Sequence, residues 1–295
     1  MSIELTIGEL LSTAVGPTFS FEFFPPKDEA GQQLLTRTIA ELEPLRPDWV
    51  SVTYGANGSG RQRTLDATMS IRNTTDFRVM GHLTCTGQTV DELKAVIDAY
   101  GDSGVHDILA IRGDMPGGPS APWEPHPRGL ANASELVELI RSRGDFCVGV
   151  AAFPDGHASS TLEVDAQILL GKQQAGASFA VTQLFFDLGR YFELVGRARS
   201  AGCTLPIVPG IMPVTSVRQL GRFAEMSGAA IPAKVAERLL AAPDDSERVR
   251  ATGSQIAAEL CERLLGGRAP GLHFFTQNRS AATREILAML RAGRR

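Results

Sequence analysis

Two hydrophobic patterns alternate along the chain. Short β-rich runs recur at Phe19–Phe24 (FSFEFF), Trp49–Tyr54 (WVSVTY), Arg78–Thr84 (RVMGHLT) and Asp107–Arg112 (DILAIR). They continue at Phe146–Ala152 (FCVGVAA), Phe179–Leu184 (FAVTQL), Leu205–Ile211 (LPIVPGI) and Leu272–Thr276 (LHFFT). Several are almost continuously apolar, as parallel strands covered on both faces are. Stretches of helical period lie between them. Leu93, Val96, Ile97 and Tyr100 fall at i, i+3, i+4 and i+7 and form one apolar stripe. Asp91 and Glu92 near its start suit the positive end of a helix dipole. Leu136, Val137 and Ile140 repeat the stripe, as do Val249, Ile256, Leu260 and Leu264. Gly104, Gly144, Gly176 and Gly202 each end a helical stretch ahead of a strand, in the manner of C-terminal glycine caps.

Eight strands alternating with helices predict an α/β fold, a (β/α)8 TIM barrel. Residues 215–268, between strands seven and eight, exceed one crossover and predict two or three helices there. The 295 residues suit such a barrel folded as one unit, a single catalytic domain over 1–295 with no internal linker. Pro116–Pro127 (PGGPSAPWEPHP) departs in composition. It follows strand four, which predicts a mobile surface loop at the active-site end.

Composition narrows the function classes. Hydrophobic residues make up 43% and charged residues 21%, ordinary for a globular chain, and the net charge of −4 implies no basic face for nucleic acid. The four cysteines, Cys85, Cys147, Cys203 and Cys261, include no CxxC pair. They predict reduced, buried thiols, with neither zinc nor a redox couple. MSIELTIGELLSTAV lacks the basic start of a secretory signal, and no apolar run reaches the length of a membrane span. The expected compartment is the cytoplasm.

Barrels place their sites at the C-terminal ends of the strands, which selects the candidates. Glu22 stands among four phenylalanines in FSFEFF. Burial among aromatics disfavours an ionised carboxyl, and a carboxyl that keeps its proton is what general-acid catalysis needs. A strand-edge glutamate is the plainer alternative. Asp114 ends IRGD, where backbone amides near Gly113 suit an anion and the carboxylate suits a ring nitrogen. A turn aspartate is equally familiar in a Gly-Asp context. Gln183 offers a donor and an acceptor to a heterocycle edge, or bonds to the neighbouring backbone. Gln219 and Phe223, four apart on a helix, share a face suited to a planar ligand, with core packing of Phe223 as the alternative. His82 and His157 have no partner at metal-ligand spacing. Arg279 suits a carboxylate or a solvated helix start. There is no GxGxxG after a strand and no GxxxxGK[ST].

FSFEFFPPK, DWVSVTYGANGS, GHLTC, ILAIRGD, VAAFPDGH, AGASFAVTQLFFD, IVPGIMP and GLHFFTQNR, in this order, resemble methylenetetrahydrofolate reductase from about Phe19 to about Leu290. The chain is similar to the short bacterial form, with a catalytic barrel alone. The resemblance implies FAD at the top of the barrel, reduced by NADH or NADPH. 5,10-Methylenetetrahydrofolate then replaces the nicotinamide and is reduced to 5-methyltetrahydrofolate, a precursor for methionine synthesis. It implies that Glu22 is the general acid that opens the five-membered ring, and that Asp114 contacts the pterin beside the flavin. Gln183, Gln219, Phe223 and Arg279 match substrate contacts. Thr53, Tyr54, His82, Arg112, Gly113, Ala133, Phe153, His157, Asp165 and Lys172 match positions beside flavin or nicotinamide. The bacterial members commonly form homo-oligomers.

Four positions depart from the family pattern. Asn132 and Phe153 stand where tyrosines are common, Ile168 where a polar residue is, and Gly171 where a longer side chain is. Ile168 and Gly171 remove donors toward the phosphate and adenosine end of FAD. These changes leave the chemical end intact and open a second route, direct hydride transfer from NADH with weak or no flavin. A non-catalytic folate or flavin binder is a third reading, against which the retention of Glu22 argues.

Overall fold

A computed structural model describes residues 5–54, 60–118, 120–227 and 231–293. The GANGS end of the second motif falls on residues 55–59 and lies outside the described residues, as does Pro119 of the Pro-rich segment.

The first element was not separated by the hydrophobic pattern. Helix α1 (Ile7–Thr13) opens on a capping box, in which Thr6 and Glu9 satisfy each other's exposed amides. Nine parallel strands follow: β1 (Thr18–Phe23), β2 (Trp49–Val52), β3 (Val79–Thr84), β4 (Asp107–Ile111), β5 (Cys147–Ala152), β6 (Phe179–Thr182), β7 (Ile207–Val208), β8 (Gly210–Ile211) and β9 (Gly271–Phe275). The helices between and after them are α2 (Glu29–Leu42), α3 (Arg61–Thr74), α4 (Val90–Asp102), α5 (Ala133–Arg143), α6 (Leu162–Gln174) and α7 (Leu188–Ser200). They continue with α8 (Arg218–Ser227), α9 (Ala233–Leu240), α10 (Ser246–Gly266) and α11 (Ala281–Ala292).

The strands run in the order β7-β6-β5-β4-β3-β2-β1-β9-β8. The predicted run Leu205–Ile211 divides at Pro209, which has no N–H to give the ladder. Its first half pairs with β6 and its second with β9, so the two ends of the sheet meet in one broken strand and close the barrel. α8, α9 and α10 fill the predicted insertion before β9 and enclose a satellite core of Leu184, Val214, Phe223, Leu239 and Val249.

Alternation along the strands sends side chains to two cores. Phe21, Phe23, Val50 and Val52 pack outward beneath the helices. Trp49, Met80, Leu109, Cys147, Phe179, Val181 and Val208 fill the barrel interior together with Ile7. Helix α1 therefore stops the bottom of the barrel, and its Ile7 amide donates to buried Asp107 Oδ1 at 2.9 Å. Ile7→Ala is expected to cost about 2–4 kcal/mol by leaving a cavity under the barrel. Urea unfolding followed by circular dichroism measures it, and an unchanged midpoint would show that α1 closes nothing. All four cysteines are buried free thiols. No described helix is long and apolar enough to cross a membrane.

Candidate active site

Thr18, Ser20 and Glu22 are the inward positions of β1, and Glu22, nearest the mouth, is only 7% exposed. The ladder sets Glu22 opposite Ser51 on β2, and Ser20 opposite His273 on β9. Three side chains converge on one carboxyl oxygen. His273 Nε2 lies 3.3 Å from Glu22 Oε2, Ser51 Oγ 3.5 Å and His82 Nε2 3.5 Å. His82 Nε2 is close without hydrogen-bond geometry. Burial, the largest influence on His82, pulls it down to about 4 against the opposing pull of Glu22. At neutral pH this contact is a neutral ring beside a carboxyl, not an ion pair. His82 Nε2 and Thr84 Oγ1 are both buried without a hydrogen-bond partner. Unsatisfied atoms of this kind at a barrel mouth suit a water or a polar ligand.

The loop after β4 forms the next wall. Gly113 adopts φ +84°, and a Cβ there would sit 2.2 Å from Thr86 Oγ1, so only glycine fits this close turn. Asp114 is half-buried beside it and near enough to His157 to act on its titration. Arg112 contacts His157 Nε2 at 3.3 Å and donates to Gly113 O. The Arg112 guanidinium also lies over the Trp123 ring, 4.8 Å from its centroid. The Pro-rich segment, expected as a free surface loop, is thus anchored onto the wall by its one tryptophan.

Beyond it, His157 meets Phe153 edge-on at 4.9 Å, and its amide donates to Asp165 Oδ2 at 2.8 Å. Buried Lys172 donates to Ala151 O at 2.8 Å. Burial lowers Lys172 to about 8, offset in part by Asp165. Asn132 caps α5, accepting from the amides of Ser134 and Glu135, and Ala133 is buried as its first residue. Ile168 points outward at 44% exposure, and a Cβ on Gly171 would meet only Ser134 Oγ at 4.0 Å.

The remaining candidates divide. Gln183 Oε1 accepts its own neighbour's amide, from Leu184, at 2.9 Å. Gln219 Oε1 accepts from Thr215 and Ser216 at the start of α8, and Gln219 Nε2 donates to Gln277 at 3.0 Å. Phe223 is fully buried in the satellite core and stacked on Phe186 at 6.5 Å. The helical spacing of Gln219 and Phe223 is real, but the structure uses one to hold a helix start and the other to fill a core. Thr53 O and Tyr54 OH are taken by Thr64 and Gln88. Arg279 is exposed and lines a cavity of about 400 Å³ with Thr215, Gln277, Ser246 and Arg250.

The sequence had not marked Ser20, Ser51, His273 or Trp123. For the first three the signal is a polar residue at an inward position of β1, β2 and β9, visible only once those strands are neighbours; Trp123 lies in the loop after β4 and carries no such signal. Among the described residues no group of three or more His, Cys, Asp or Glu is placed to hold a metal ion.

A closed parallel barrel whose mouth holds a sheltered carboxyl, unsatisfied polar atoms and an adjoining polar cavity defines a barrel enzyme. The chain belongs to the methylenetetrahydrofolate reductase family, whose model matches residues 8–291, and with it to the oxidoreductases. It is 38% identical over 262 residues to the 5,10-methylenetetrahydrofolate reductase of Escherichia coli K12, covering 88% of this chain and 86% of that one. It is 36% identical over 280 residues to methylenetetrahydrofolate reductase 1 of Schizosaccharomyces pombe, covering 92% of this chain and 46% of that longer one. A protein from Clostridium thermocellum that binds two copies of 5-methyl-5,6,7,8-tetrahydrofolic acid shares the fold, with TM-score 0.63 and 13% identity over 96% of this chain and 97% of that one.

Proposed function

We propose that this chain reduces 5,10-methylenetetrahydrofolate to 5-methyltetrahydrofolate with NADH or NADPH, in the cytoplasm, as a step that supplies methionine synthesis. Residues 1–295 form one catalytic barrel in this reading, which associates into the homo-oligomer that the family resemblance implies. The observation that carries it is Glu22, sheltered at the mouth with its Oε2 held by neighbours and Oε1 left without a partner among the described residues. Glu22 gives its proton to the bridging nitrogen that becomes the free amine. The C–N bond to that nitrogen breaks, the methylene carbon becomes an iminium, and hydride addition makes it a methyl group. Asp114 and the side-chain amide of Gln183 recognise the pterin edge, and Arg279 receives the glutamate carboxylate beside its cavity.

FAD is the hydride carrier that family likeness implies. The unsatisfied atoms of His82 and Thr84 suit a redox ring at the mouth. The wall for the carrier's phosphates does not fit as folded. Lys172 is spent on Ala151 O, Arg112 is held between His157 and the Trp123 ring, Asp165 holds the loop, and the side chains of Ile168 and Gly171 present no donor. This closed wall favours a second reading, direct transfer from the nicotinamide to bound folate, with Thr53, Tyr54, Phe153 and His157 bordering the nicotinamide.

Initial rates with both substrates varied, read beside the visible spectrum of the purified protein, decide between the routes. Direct transfer predicts a colourless protein and intersecting double-reciprocal lines. A yellow protein with parallel lines would establish FAD as carrier. No methylene reduction in either form, with FAD added, would overturn the proposed function.

A further inference from the structure

We propose that His273, held by Ser20, is a positioning residue that fixes which oxygen of Glu22 carries the transferable proton. The inference rests on the reading of Glu22 as proton donor. His273 is fully buried on β9 and bridges two inward residues of β1. Its Nδ1 lies 2.8 Å from Ser20 Oγ and its Nε2 lies 3.3 Å from Glu22 Oε2.

A neutral imidazole has one N–H and one lone pair, so the partner of one nitrogen sets the role of the other. The Ser20 hydroxyl has two acceptors in reach, Nδ1 at 2.8 Å and Leu272 O at 3.4 Å. The shorter contact takes the hydroxyl proton. Nδ1 then accepts, and Nε2–H is aimed at Glu22 Oε2. The opposite tautomer sets a bare lone pair against that oxygen, which becomes repulsive once the carboxyl has ionised. Ser51 Oγ converges on the same oxygen. Oε2 is therefore the anchored oxygen, and Oε1 is the one free to hold a proton toward substrate.

The arrangement also helps the step itself. The proton leaves Oε1 for the substrate amine, and no electron pair moves to or from the barrel. His273 and Ser20 keep their own protons throughout. The Nε2–H bond to Oε2 changes from a neutral one to a charge-assisted one, about twice as strong. Its stabilisation therefore grows as Glu22 ionises, as transition-state complementarity requires. The titratable groups facing Glu22 are His273 from β9 and His82 from β3. His82 sits near 4, so it is neutral and does not compete as a charged donor.

The test compares His273→Gln, His273→Asn and His273→Leu in the full chain. The glutamine amide reaches the place of Nε2, whereas the shorter asparagine amide reaches only that of Nδ1. Asparagine and leucine are expected to lower kcat for methylene reduction on the order of tenfold to a hundredfold, the scale of a weakened proton donor. Their KM values for folate and for NADH stay unchanged. Glutamine is expected to recover most of the loss, and Ser20→Ala to show a smaller loss in the same direction. Added to Glu22→Gln, His273→Leu should lower the rate no further. Equal kcat for the asparagine and glutamine variants, with wild-type unfolding midpoints, would overturn the proposal while leaving Glu22 as donor. Full turnover by Glu22→Gln would overturn the donor reading itself.

Discussion

Glu22→Gln is expected to lower kcat for methylene reduction on the order of a thousandfold, within the range removed with a general acid, or about 4 kcal/mol of barrel-assisted barrier lowering. The substitution keeps the shape of the side chain. Ser51 and His273 keep an amide oxygen to donate to, so the buried contacts around Oε2 survive. What disappears is an acid proton on the other arm. The unfolding midpoint should stay near wild type, and titrations with 5-methyltetrahydrofolate and NADH should still show binding. This separation of turnover from binding is the decisive feature, because a glutamate with only a packing role would move stability and leave kcat in place. Unchanged folate turnover would sink the assignment of Glu22.

Strands and helices were legible because the barrel repeats a strong pattern. Seven of the predicted strands coincide with β1 to β6 and β9 to within two residues at either end. The eighth broke because Pro209 interrupts its ladder, a detail hidden by the apolar run around it. Helix α1 escaped notice for another reason. Ile7, Leu10 and Leu11 do fall at i, i+3 and i+4 and pack together under the barrel, but this stripe spans one turn of a seven-residue helix, and its role comes from where it docks. At the site, Glu22 was legible because a charged residue is conspicuous among phenylalanines. His273 was not, although its motif was read, since its meaning lies in the neighbouring strand across the closure of the barrel. Only the family resemblance groups Arg112, His157, Asp165 and Lys172, and the structure sets them along one wall. Spacing alone does not show that Arg112 meets His157 and Trp123, that the His157 amide bonds Asp165, or that Lys172 bonds Ala151 O. Against the family pattern Asn132 is a lost tyrosine, yet with Glu135 three residues on it forms a helix start, and the structure uses it as one.

Gly210→Ala is expected to damage both stability and turnover, because Gly210 sits where the barrel closes. A Cβ there would lie 2.3 Å from Thr182 O and 2.6 Å from the Phe275 ring. The first neighbour is backbone of β6 and cannot swing aside. Gly210 N–H donates to Thr182 Oγ1 at 2.9 Å, and Pro209 O accepts from the His273 amide at 3.0 Å. The added carbon must therefore push β8 away from β6 or displace Phe275, at a cost of about 1–3 kcal/mol for overpacking a closed sheet. Gly210 is also the ladder partner of His273. Any displacement of β8 passes to the strand that carries the Glu22 anchor, so kcat should fall along with the unfolding midpoint. Gly196→Ala provides the contrast. It lies inside α7 with nothing within 4 Å of its Cβ position, and alanine there should stabilise by about 0.5–1 kcal/mol through helix propensity. Urea unfolding of the two variants, with kcat measured on each, tests the argument. A Gly210→Ala variant as stable and as active as Gly196→Ala would mean that the barrel closes with slack at this strand, and that the alignment of His273 with Glu22 does not depend on it.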